Sequence, residues 1–197
     1  MAKLSDVTDF FIQLFNAEER GEGLSNMKLQ KLLYYAQGVH LARTGKPLFD
    51  ETIKAWDYGP VVPQVYRKYR WFGNGAITAP KTAYDNEVFD DSEIRTLFDV
   101  SSFCEPYSAV ALMKMSHAKG SPWDMVYAVN RYGEIRKDSL REYFSREENK
   151  VPSLFDLTPG DRNFRSGFET TRVSADVYPL LDEDDDPDEW NEYENEM

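Results

Sequence analysis

Between Asn26 and Val39, apolar side chains recur at three- and four-residue steps: Leu29, Leu32, Leu33, Ala36 and Val39. That spacing puts them on one face of a helix. Ser25 suits the N-cap, because its hydroxyl can accept from an orphan amide of the first turn. Gly45 and Pro47 predict the stop, since Gly tolerates left-handed backbone and Pro cannot continue the ladder. A second face carries Gln30, Tyr34 and Gln37, and a third carries Lys28, Lys31 and Tyr35. The simplest reading buries the apolar face and leaves the other two in solvent. The sharper reading makes the lysines and tyrosines a contact surface, because Tyr joins apolar area to a polar tip.

Other elements follow from the same pattern. Val7, Phe10, Phe11, Leu14 and Phe15 form the stripe of a first helix, with Ser5 as its expected cap and a loop after it at 18–23. Its natural partner is the Leu29 to Val39 face. Residues 52–56 read as extended, and Trp56-Asp57-Tyr58-Gly59-Pro60 as a tight turn. Pro63 opens a helix carrying Val65, Tyr66 and Tyr69 beside Arg67, Lys68 and Arg70. Residues 71–90 are turn-rich, and Ala76-Ile77-Thr78 is expected as a short strand pairing with 53–56. Asp91 or Ser92 is expected to open a helix with Ile94, Leu97, Phe98 and Ser101 inward. Ser108 opens the next, with Ala109, Leu112, Met113 and Ser116 on one side. Ser121-Pro122-Trp123-Asp124 combines a cap, an N1 proline and a capping-box acid. Asp138 is the expected cap of a last helix that buries Leu140, Tyr143 and Phe144.

Two runs, KLQKLLYYAQ and AWDYGPVVPQVYRKY, resemble the signature of the Panacea (DUF4065) domain. SHAKGSPWDMVY and GEIRKDSLREYF fit the later helices of the same family. The resemblance covers residues 5 to 145. It implies a mostly helical fold and the role of an antitoxin that neutralises a partner toxin encoded beside it; related sequences are phage-associated. It does not name the toxin, because the family's toxins are diverse.

Charge changes the picture at one end only. The net charge is −12, from 35 acids and 23 bases. Ten of the acids fall in residues 182–197, which hold no base, so the body is close to neutral. A general phosphate-binding surface is disfavoured on that balance, and nucleic acid is not an expected partner. The run Tyr66-Arg67-Lys68-Tyr69-Arg70-Trp71 is the best nucleic-acid candidate, since aromatics beside cations can hold single strands. Buried tyrosines with a solvated basic edge account for it better. The single cysteine, Cys104, fits a reducing compartment, no apolar run reaches the ~20 residues of a membrane span, and no export signal is visible. A cytoplasmic protein is expected.

Candidate chemistry is sparse. His40, His117 and Cys104 have no metal-ligand spacing, and His117 reads as a structural residue at a helix end. Ser116 and Lys119 match S-x-x-K without its companion motifs, and no glycine-rich nucleotide loop is present. The expected architecture is mainly α, with about six helices and a small β element. A Panacea-like helical domain spans 1–147, an irregular extension 148–181, and an acidic, disordered tail 182–197. The expected function is a non-enzymatic antitoxin without cofactor or metal, binding its toxin through Lys31, Tyr34, Tyr35, Trp56, Tyr58, Tyr66, Trp190 and Tyr193. The two tail aromatics would anchor the acids in a basic groove. The alternative is an adaptor that delivers a partner protein to a protease or chaperone.

Overall fold

The computed structural model describes residues 1–17, 23–78 and 88–154, all within a unit running from Met1 to Asp156. Trp190 and Tyr193, most of the loop expected at 18–23, and the segments 79–87 and 155–197 lie outside the described residues. Seven α-helices and three short strands are present among the described residues: α1 Leu4–Ala17, α2 Asn26–Thr44, β1 Ile53–Trp56, β2 Gly59–Val61, α3 Pro63–Tyr69, α4 Asp91–Cys104, α5 Ala109–Ser116, α6 Pro122–Tyr127, β3 Glu134–Ile135 and α7 Lys137–Ser145. The packed chain continues past residue 147, since Val151 is buried and Leu154 N donates to Asp99 Oδ1 at 2.7 Å.

Helix α2 is the axis of the domain. Its Ser25 cap accepts from Lys28 N, and Gly45, at φ 71°, closes it by donating to the Leu41 carbonyl. It packs against α7 and α4 most extensively, and also against α1, α3, α5 and β2. No face of α2 is left for solvent over most of its length: residues 29 to 41 are all buried. The two solvated faces expected for it are therefore absent. A helix wrapped on every side needs partners for its polar groups, and here these are main-chain atoms of the connecting segments. Gln37 Oε1 accepts from Leu48 N (2.8 Å) and Phe49 N (3.3 Å), and its Nε2 donates to Phe49 O (2.8 Å). Arg43 pairs with Asp99 at 2.6 Å and donates to Val151 O. Where α7 crosses α2, Gly38 faces Phe144; a Cβ on Gly38 would lie 2.1 Å from the ring.

The sheet has the order β2-β1-β3 and is antiparallel throughout. Trp56 faces Gly59 across the hairpin, and Ile53 faces Ile135 on the other side. The partner of β1 is thus β3, and not the 76–78 segment expected from the sequence. Ala76 instead makes one bridge to Ser25, and Ile77 N donates to Leu24 O.

Three helix starts also differ from expectation. α1 begins at Leu4, before Ser5, whose hydroxyl meets Asp6. α4 is capped by Asp90, one residue earlier than expected, in a reciprocal capping box with Glu93. α7 begins at Lys137 without a side-chain cap, so Asp138 lies inside its first turn and acts on the helix dipole instead.

Candidate protein-recognition site

The tight turn at residues 56–60 is pinned from three directions. At its entry, Trp123 Nε1 donates to Trp56 O at 2.8 Å. At its exit, Lys31 Nζ donates to Pro60 O at 3.1 Å. In the middle, the Asp57 carboxylate accepts from Tyr127 OH (2.6 Å) and Tyr132 OH (3.1 Å), with the Arg131 guanidinium 3.4 Å away. One residue beyond β2, Val62 N donates to Gln30 Oε1 at 2.9 Å. Gln30 is itself held by Asn26, whose Nδ2 donates to Tyr66 O.

Each anchor has a local reason. α6 is started by Ser121, which accepts from Asp124 N, and by Pro122 at N1. Trp123 is fixed between two rings, stacked on His117 at 3.5 Å and on Tyr127 at 4.4 Å. Arg131, in the turn that follows α6, lies over the Tyr127 ring and donates to its hydroxyl. Burial, then the bond to Asp57, raises the Tyr127 hydroxyl above its usual value, which keeps it a donor at neutral pH. Tyr132 takes the left-handed region, φ 66°, rare outside glycine, as the chain turns into β3. Gly59, at φ 98°, has no room for a side chain: a Cβ there would lie 2.8 Å from Lys31 Nζ and 2.9 Å from Ser116 Oγ.

On the outside of the turn sit half-buried aromatics. The Trp56 ring meets Tyr66 edge to face at 5.0 Å and Tyr132 at 6.3 Å. Tyr58 is half-buried at the tip. Trp71, just beyond α3, is 82% exposed, with Arg70 over its ring. Tyr69 is buried, and Arg67 and Lys68 are exposed, which matches the solvated basic edge expected for this run.

Of the residues expected to bind a partner, the structure brings Trp56, Tyr58 and Tyr66 together at this turn. Lys31, Tyr34 and Tyr35 lie inside the core and are removed from any surface contact. The Tyr34 and Tyr35 rings pack edge to face on each other and on Phe144. The Tyr34 hydroxyl is buried and has no hydrogen-bond partner among the described residues, and burial raises its pKa strongly. Asp57, Trp123, Tyr127, Arg131 and Tyr132 were not singled out as site residues in the sequence. The i, i+4 spacing of Tyr127 and Arg131 was the available signal. Cys104 is fully buried, which pushes its thiol well up, away from reactive thiolate. The Ser116 hydroxyl donates to Met113 O. Among the described residues there is no group of three metal-binding side chains and no helix long and apolar enough to cross a membrane.

Residues 29–124 match the family described as Antitoxin SocA-like, Panacea domain. This segment is similar to a Panacea domain. It holds the 56–60 turn and two of its anchors, Lys31 and Trp123, and ends before Tyr127. A curated relative, Antitoxin SocA of Caulobacter vibrioides (strain NA1000 / CB15N), is 34% identical over 117 residues. The aligned part is 52% of this chain and spans about 60% of the relative's length. No solved structure matches the chain.

Proposed function

We propose that this protein is an antitoxin that neutralises a cognate protein toxin, encoded by a neighbouring gene, through direct contact at the 56–60 turn. The observation that carries the reading is the pinned turn itself. Three side-chain anchors fix a loop that carries Trp56 and Tyr58 beside Tyr66 of α3, all half-buried. Rigid aromatics in a preorganised loop lose little entropy on binding, and such residues dominate protein interfaces. The similarity to Antitoxin SocA supports the class of partner. Neutralisation is by occlusion or distortion of the toxin.

Co-expression tests this. Each neighbouring reading frame is induced alone and with this protein, and growth is scored. Arrest by one neighbour, relieved by the intact protein and not by Trp56→Ala with Tyr58→Ser, is the expected result. A harmless neighbour, or full relief by the double variant, overturns the proposal in its present form. Toxin levels that fall on co-expression would favour an adaptor over occlusion. Deleting residues 182–197 tests whether Trp190 and Tyr193 take part, which requires relief to weaken.

A further inference from the structure

Lys31 is the anomaly beneath the turn. It is 1% exposed and, among the described residues, makes a single hydrogen bond, to Pro60 O, and has no carboxylate partner. Buried cations are normally paired, because desolvation otherwise penalises the charge heavily. The groups around it supply no anion. β2 contributes Gly59 and Pro60, which do not titrate. α5 contributes the Ser116 hydroxyl, committed to Met113 O, and its C-terminal neighbour His117, whose Nε2 is buried without a partner. Asp124 of α6 acts on His117, not on Lys31. The second anchor is tied to the same place, because His117 stacks on Trp123, and Trp123 holds Trp56 O.

We infer that Lys31 is a positioning residue for the turn, and that its unneutralised, sealed amine makes release of the turn proton-driven. Closed, the amine stands in a dry site against Pro60. Opening the turn admits water, and the amine takes up a proton there as an ordinary lysine does. Acid therefore favours the open turn and alkali the closed one. Burial pushes the Lys31 amine from 10.5 down to about 7 in the closed state, which sets the window. His117 is lowered to about 4, chiefly by burial, and so stays neutral throughout it. The relevance to toxin contact rests on the function proposed above; the device itself belongs to the free protein and is tested there.

The test uses the full chain labelled with nitrogen-15, followed by NMR. The reporters are the Lys31 side-chain nitrogen and the Trp123 indole proton, the latter assigned by Trp123→Phe. Lys31 should titrate near neutrality. Protection of the Trp123 indole proton, corrected for intrinsic exchange, should fall about fifteen-fold from pH 8.5 to 7 and less than about two-fold further to pH 6, by proton linkage between the two states. In Lys31→Met the protection should be higher and independent of pH. A Lys31 nitrogen that titrates near 10.5, a flat protection profile in the wild type, or an unchanged slope in Lys31→Met each overturns the inference. The wild-type titration keeps the question decidable should that variant fail to fold. Toxin binding enters none of these readouts, so a failed antitoxin assay leaves them standing and the reverse.

Discussion

Gly38→Ala is the sharpest probe of the α2–α7 crossing. In a helix interior the exchange normally stabilises by about 1 kcal/mol, because Gly loses more backbone entropy than Ala. Here the new Cβ would sit 2.1 and 2.2 Å from two carbons of the Phe144 ring. Ordinary carbon contacts are about 3.5–4.0 Å, so the ring or the whole of α7 must retreat by well over ~1 Å. The ring cannot simply rotate away, because Tyr34, Tyr35 and Tyr143 hold it at centroid distances of 5.5, 5.6 and 5.3 Å. Overpacking of this kind costs about 1–3 kcal/mol, and the rigid surroundings put this site at the upper end. The expected net loss is about 2 kcal/mol, once the ~1 kcal/mol propensity gain is deducted. Urea unfolding followed by circular dichroism measures it. Phe144→Leu should cost about 1–2 kcal/mol alone, and the double variant should recover at least ~1 kcal/mol relative to the sum, because the clash is shared. A Gly38→Ala protein as stable as the parent, or strict additivity in the cycle, would refute the packing described for α2 and α7.

Tyr34→Phe removes a buried hydroxyl that has no partner among the described residues; it should leave stability unchanged or raise it by about 1 kcal/mol in the same urea assay. Trp123→Phe keeps a ring in the stack but removes the donor to Trp56 O; it should cost about 1–2 kcal/mol of stability, and rescue of growth should drop with it. The Lys31 amine is lowered from 10.5 to about 7 in the fold, so between those values the unfolded chain binds the extra proton. Lys31 therefore imposes a stability cost that is full below pH 7 and is relieved towards pH 10.5, by about 1.4 kcal/mol per pH unit and about 5 kcal/mol in all. Urea midpoints at pH 7, 8 and 9, compared with Lys31→Met, check this, and equal pH profiles for the two proteins would contradict it. Asp99→Asn leaves the solvent-exposed Arg43 without its charge partner and should destabilise by about 1 kcal/mol, read by thermal melting.

Where the sequence carries strong local chemistry, the fold was legible. Ser25, Ser108 and Ser121 cap the helices expected of them, and Gly45 and Pro63 end and start theirs. The caps that were misplaced involve neighbouring acids and hydroxyls: Asp90, Asp91 and Ser92 are all good caps, and only the backbone path selects Asp90. The partner of β1 was missed because β3 is two residues long and lies about 80 positions away, too short for any period to register. The contact surface on α2 was misjudged for a physical reason. Periodicity reports which residues share a face, and it carries no information on what covers that face. Lys31, Tyr34 and Tyr35 read as exposed because lysine and tyrosine usually are. Trp56 and Tyr58 lead into the Gly-Pro step and Tyr66 lies on α3; all three are half-buried, whereas Gly59 and Pro60 are buried.

The buried polar residues of α2 share one task. Asn26 holds Tyr66 O, Gln30 holds Val62 N, and Gln37 holds both polar groups of Phe49 as well as Leu48 N. Asn26 ties α3, and Gln30 and Gln37 tie non-helical connectors, to the central helix through their main chains, so α2 becomes the template for the segments around it. Amides perform this task at positions 26, 30 and 37 without any ionisation cost. At position 31 the same task, holding Pro60 O, falls to a lysine. A glutamine there could donate to the same carbonyl, and the fold would gain stability from losing a buried titratable group. A template alone does not explain the choice of an amine. A turn that must be held in one state and released in another does, because only the amine couples the Pro60 contact to a proton. A buried, titratable amine thus stands directly under the turn that carries Trp56 and Tyr58.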